Sequence, residues 1–215
     1  MYEKLDSLLK KAKKKIRTEF NRLGVMAFDS LNVVNTKKIT KEMFDRLLTD
    51  NEKMYQKVAE DAYSEGKKKA RSVGYTEEET EGVIGDWLMS VLLGYNLITG
   101  YVYDKEAERK RLRLNEQILT AREFDSRQAY NDSLRRTANL WYTQTAQYGI
   151  DVVDAATLRA YKHMGVEMVR WVTEIDERTC TECLERDGEI YPLPKVPPKT
   201  HYNCRCRLEP VEIEE

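Results

Sequence analysis

Residues 151–174 read DVVDAATLRAYKHMGVEMVRWVTE, and the spacing of their apolar groups changes at Gly165. Before Gly165 the spacing is helical. Asp151 is placed to cap that helix and Gly165 to end it. After Gly165, VEMVRWVTE alternates and is rich in β-branched and aromatic residues, the pattern of a strand. DGEIY at 187–191 suggests a turn entering a second strand, and RCRLEPV at 205–211 supplies a third. All five prolines lie between residues 192 and 210. The switch divides the chain into a helical body, residues 1–165, and a small C-terminal module with a β component, residues 166–215.

Upstream, helical signals dominate. Leu5, Leu8, Leu9, Ala12, Ile16 and Phe20 recur along one face of a helix over residues 2–22, and Gly24 marks its stop. Thr40 is the expected N-cap of a second helix carrying Met43, Phe44, Leu47, Leu48, Met54, Tyr55, Val58 and Ala62. Gly66 is unfavourable inside it and Gly74 ends it. TEEE at 76–79 is a capping box, with three glutamates at the positive end of the dipole. It predicts a helix from about residue 77 into the nineties that buries Val83, Ile84, Trp87 and Leu88. Residues 104–148 contain neither proline nor glycine and read as one or two long helices.

The 215 residues are 41% hydrophobic and 34% charged, which suits a globular, helix-rich chain with large solvated faces. A net charge of −1 excludes a general polycation, so any anionic partner must meet a local patch. The opening MYEKLDSLLKKAKKK has no continuous apolar run of the kind a secretory signal needs, so a reducing cytoplasm is expected. Trp87 to Tyr103 approaches the length of a membrane span. Ser90, Gly94, Asn96, Thr99 and Gly100 interrupt it and Asp86 precedes it, so a buried helix, or a helix and loop, is expected and no membrane partner.

All four cysteines fall between residues 180 and 206. Cys180 and Cys183 form C-x-x-C; His201, Cys204 and Cys206 form H-x-x-C-x-C after a gap of 17 residues. Two donor pairs joined by such a loop can close a tetrahedron, the arrangement of a structural zinc site. Cys180, Cys183 and Cys204 are the firmest ligands; the fourth is Cys206 or His201. A pair of disulfides would require maturation outside the cell. A redox C-x-x-C would sit at a helix start beside a βαβ unit, which the sequence lacks. Protein ligands alone can close the site, so neither catalysis nor a small-molecule substrate is expected. The expected fold class is therefore mainly α: a multi-helix body with long helices, followed by a small α+β zinc-binding C-terminal module with structural Zn2+.

The run RWVTEIDERTCTECLERDGEIYPL…PPKTHYNCRCRLEPV resembles the Mu F-like phage head morphogenesis family, the minor capsid proteins of tailed phages. The family's signature looks like W-x-T, D-x-x-x-C-x-x-C, D/E-G and P-x-x-H-x-x-C-R-C. Trp171, Thr173, Asp176, Cys180, Cys183, Asp187, Gly188, Pro198, His201, Cys204, Arg205 and Cys206 occupy those places. Tyr202 stands where the family often has proline. Some relatives carry a fused toxin or ADP-ribosyltransferase domain, and this chain resembles the bare form. The resemblance implies a non-enzymatic virion protein of the head interior or portal region, made in the host bacterial cytoplasm. It also implies partnership with the portal protein and capsid or scaffold proteins, in head assembly or in DNA packaging or delivery.

A zinc-containing nucleic-acid-binding protein is the alternative. Residues 1–23 hold eight Lys/Arg against three Asp/Glu, and Lys10, Lys11, Lys13, Lys14, Lys15 and Arg17 could touch packaged DNA non-specifically. A solvated helix face is the plainer account of these residues. His163 stands alone and is expected to be a packing or surface histidine. Trp87, Trp141 and Trp171 are expected core anchors.

Overall fold

A computed structural model describes residues 2–30, 33–76, 126–177, 179–199, 201 and 203–212, and describes the side chains of 26–30 and 33–37 in no detail. Among the described residues three long helices dominate: α1 (Glu3–Ser30), α2 (Val33–Ser72) and α3 (Arg127–His163). Then come β1 (Met168–Val172), a short helix α4 (Thr181–Glu185), β2 (Ile190–Pro192), a 3-10 turn over Leu193–Lys195, and β3 (Arg207–Pro210). The architecture is mainly helical with a small C-terminal sheet, as expected. The TEEE helix, the segment Trp87–Tyr103 and the first part of the 104–148 run lie outside the described residues. No helix among the described residues is long and apolar enough to cross a membrane.

The helix ends depart from the expectations at three places. α1 continues through Gly24, α2 begins seven residues before Thr40, and α3 runs unbroken through Gly149 and Asp151. Packing explains two of these. A Cβ at Gly24 would stand 2.8 Å from the Asn131 side chain, and one at Gly149 would stand 2.7 Å from Leu5. Both glycines are therefore sites of close helix approach rather than stops. Thr40 is fully buried inside α2, where Ile39 and Met43 pack into the core and carry the helix past the capping signal.

Gly74 and Gly165 are true stops. They have φ of +95° and +70°, the left-handed region that glycine enters without a Cβ penalty. At each, the amide two residues past the last helical residue bonds back over a short span: Gly74 to Arg71 at 3.2 Å and Gly165 to Lys162 at 3.2 Å. The next amide reaches one residue further back, Tyr75 to Ala70 at 3.1 Å and Val166 to Tyr161 at 3.0 Å. Both ends are thus Schellman motifs, which satisfy carbonyls the helix leaves orphaned.

The chain clusters into two compact units. In one, which spans 6–54 and 92–148, the described core joins Ile16, Phe20 and Leu23 to Met43, Leu47, Tyr130, Leu134 and Trp141. Phe44 stacks on Trp141 at 5.1 Å, and a buried Asn51 amide donates to Thr145 Oγ1 at 3.0 Å. The other unit spans 1–5, 55–91 and 149–215. Its described core joins the two Schellman ends, Ala70, Tyr161, Met164 and Val166, to Val169 of β1, with Tyr75, Leu193 and Leu208 packed against them. His163 is buried here, its Nδ1 2.6 Å from the Tyr63 hydroxyl, which makes it a packing histidine as expected.

The three expected strands form one antiparallel sheet in the order β2-β1-β3. Arg170 pairs with Ile190 on one side and Glu209 on the other, and Trp171 pairs with Leu208. Val169 and Trp171 are buried while Arg170 is exposed, the period-two alternation of a strand with one covered face. Pro192 and Pro210 close the two edge strands, where a missing amide interrupts no ladder.

Candidate metal centre

The covered end of this sheet carries the cysteines. Cys183, Cys204 and Cys206 are buried with Trp171, and Cys180, Tyr191, Val196 and Leu208 pack around them. Cys180 and Cys183 are positioned by α4, whose existence the sequence did not announce. Cys180 is its N-cap in extended conformation, and its sulfur accepts the Cys183 amide at 3.4 Å. On the second arm, Asn203 has φ +56°, a left-handed value that asparagine tolerates better than most residues. The turn lies between His201 and Cys204, the two donors of H-x-x-C.

Two groups of donors converge, and Cys183 belongs to both: Cys180, Cys183 and His201, and Cys183, Cys204 and Cys206. Within each group the donor atoms lie within 4.8 Å of one another. Cys183 Sγ is 3.4 Å from His201 Nε2 and 3.7 Å from Cys204 Sγ. No disulfide joins any of the four cysteines. Burial pushes the Cys204 thiol up. This donor set can hold a metal ion.

Residues around the donors tie the two arms to the sheet. Thr173, just past β1, donates its hydroxyl to the Cys183 carbonyl at 2.7 Å and receives the Cys206 thiol at 3.6 Å. Its amide donates to Asp187 at 2.7 Å, and the Gly188 amide donates to the Trp171 carbonyl at 2.9 Å. Asp176 pairs with Arg205, between the last two cysteines. The Arg186 guanidinium lies 5.3 Å over the Trp171 ring and donates to the Pro198 carbonyl at 2.9 Å.

The profile described as "Phage Mu protein F like protein" matches residues 104–209. Over those residues the chain belongs to the Mu F-like family. The Mu F-like segment starts well before the cysteines, in the run free of proline and glycine that carried no motif of its own, and ends inside β3. It contains every donor and every brace just named from Thr173 to Arg205. The family is one of phage head morphogenesis proteins. No curated protein and no solved structure matches the chain significantly.

The basic face of α1 is a separate matter. Lys10, Lys11, Lys14 and Arg17 are exposed. Lys15 is paired with Asp50, and Lys13 lies 4.5 Å over the Tyr142 ring. Trp141 and Trp171 are core residues, as expected; Trp87 lies outside the described residues. Three residues that reach the cysteine arm went unnoticed in the sequence: Tyr2, Asp154 and Lys199. They are scattered over nearly the full chain, and no spacing rule connects them.

Proposed function

We propose that this chain is a minor capsid protein of a phage or prophage, a non-enzymatic structural component of the virion. In this reading it associates with the portal protein and the capsid or scaffold proteins at the head interior. It acts there in head assembly and in DNA packaging or delivery. The observation that carries the reading is the family match over residues 104–209.

The metal centre supports a structural role. Tetrahedral zinc with Zn–S near 2.3 Å and Zn–N near 2.0 Å places its sulfurs about 3.8 Å apart and a sulfur and nitrogen about 3.5 Å apart. The 3.7 Å and 3.4 Å separations from Cys183 fit two edges of that tetrahedron. Zinc with cysteine and histidine ligands is the ion this donor set suits, and protein groups can fill all four positions. A closed site staples a module with few apolar residues, and offers no place for a substrate. Co-expression with the portal and capsid proteins of the same phage, followed by affinity capture of this chain, should recover at least the portal. Recovery of neither would sink the proposal.

A second reading, direct contact with packaged DNA, is favoured by one feature. Arg17 lines a groove of about 510 Å³ between α1 and α3 together with Arg127 and Arg135, with Asn21, Asn131 and Asn139 alongside. Among the described residues, no carboxylate lines it. Binding to duplex DNA that weakens steeply with salt, and that weakens further in Arg17→Ala, is the expected result; no binding at low salt excludes it.

A further inference from the structure

Behind the cysteine arm lies a polar cluster that the metal ligands alone do not require. Lys199 donates to the Cys204 carbonyl at 3.1 Å and to the Tyr2 hydroxyl at 2.6 Å, and sits 2.7 Å from the Asp154 carboxylate. The Tyr2 hydroxyl hydrogen-bonds to Asp154 and lies 3.2 Å from the Cys206 carbonyl. Lys199 and Asp154 keep only 17% and 24% of their side-chain surface exposed, so this is a sheltered pair rather than a surface contact. Three segments meet here: the residue before α1, the middle of α3, and the loop that leads to His201.

That loop has a specific need. Among the described residues from 199 to 206, which carry three of the five donors, none lies in a helix or strand. Nothing in a regular hydrogen-bond ladder fixes Cys204 and Cys206, so their carbonyls must be held from outside. Lys199 holds the Cys204 carbonyl, and the Tyr2 hydroxyl reaches the Cys206 carbonyl with the one proton it shares between that oxygen and Asp154. Three or four thiolates around a divalent ion also leave a net negative charge, which an ammonium beside the Cys204 backbone offsets. Groups that orient ligands in this way commonly change metal affinity by about 10- to 100-fold when removed.

We propose that Tyr2 and Lys199, braced by Asp154, are positioning residues of the metal centre, and that metal binding is thereby coupled to the docking of the first turn of α1. The proposal rests on the zinc reading of the cysteine cluster. Coupling is reciprocal: if Tyr2 steadies the ligands, bound zinc steadies Tyr2. Two other contacts let that turn respond as a body. Lys4 pairs with Asp61, and buried Leu5 packs on Gly149.

The test uses the full chain, zinc chloride and a chromophoric chelator in competition. Lys199→Met and Tyr2→Phe should keep the wild-type zinc stoichiometry at saturation but bind zinc at least about tenfold more weakly. Lys199→Arg, which keeps the charge and the donors, should recover part of the loss. In the wild-type chain, stripping zinc should speed hydrogen exchange at the amides of residues 7–10, whose helical bonds run back to residues 3–6, while residues 43–47 of α2 stay unchanged. Zinc bound with unaltered affinity in both variants, and exchange at residues 7–10 indifferent to zinc, would overturn the coupling and leave the zinc reading standing. A wild-type chain that binds no zinc would remove both. Tyr2→Phe deletes a single hydroxyl, and the wild-type comparison needs no variant, so a misfolded Lys199→Met chain does not block the decision.

Discussion

Cys183 is 1% exposed and is the donor the two groups share, so it is the ligand that joins them. Cys183→Ser should therefore abolish zinc binding by elemental analysis and loosen residues 166–212, seen as lost near-UV dichroism from Trp171, while the helices keep their far-UV signal. Thr173 tests the framework around the ligands. Its hydroxyl satisfies the buried Cys183 carbonyl. Thr173→Val removes that hydrogen bond and should cost about 0.5–1.5 kcal/mol in chemical denaturation. At this scale the convergence of possible donors was legible in advance, because residue type and short spacing point to ligand chemistry directly. Tyr2 and Asp154 were not. Their contacts join positions 152 residues apart, and a lone tyrosine or aspartate announces nothing about a partner at that distance.

Glycines separate what an element prefers from what its neighbours impose. Gly165→Ala places a Cβ at φ +70° and should destabilise by about 1–2 kcal/mol. Gly66 lies inside α2, where helix propensity alone would favour alanine by about 1 kcal/mol. A Cβ there would meet the Ala160 Cβ at 2.8 Å and the Thr157 carbonyl at 3.4 Å, atoms that cannot swing away. Gly66→Ala should therefore destabilise by about 1–3 kcal/mol in urea melts. A stabilised variant would show that the approach of α2 to α3 is slacker than described. α3 makes the same point through polarity. Ser133, Thr137, Thr145 and Thr157 are buried in it, and Thr137 and Thr157 return their hydroxyls to the carbonyls four residues back at 3.0 and 2.8 Å. Such a helix is covered on more than one side and shows no single apolar stripe, so its sequence could be read only as long and unbroken.

The α1–α2 link has an electrostatic signature. Burial pushes the Glu19 carboxyl up, but hydrogen bonds from Arg46 at 2.8 Å and Arg22 at 3.0 Å outweigh it and hold the group below its ordinary value. A depressed carboxylate contributes stability above its unfolded pKa and loses it as pH falls through the folded value. Thermal stability should thus fall below about pH 4.5, the ordinary glutamate value, and Glu19→Gln should flatten that part of the profile. An unchanged slope in the variant would remove Glu19 from the account.

For the whole molecule, the sequence by itself determined the class. Helical periodicity, the switch to alternation after Gly165, the two glycine stops and the clustered donors are local signals, each written within one or two turns of chain. The resemblance to Mu F-like proteins was legible for the same reason, since it rests on a contiguous signature. Tertiary structure alone decided where helices fail to stop, because close packing at Gly24 and Gly149 overrides a local breaker. It decided that Thr40 is a core residue rather than a cap, because burying Ile39 and Met43 carries the helix past it. It also decided what lies behind the cysteines. The chain brings Tyr2, Asp154 and Lys199 together only once α1, α3 and the ligand loop are packed, and no pattern of spacing can encode a contact that folding itself creates.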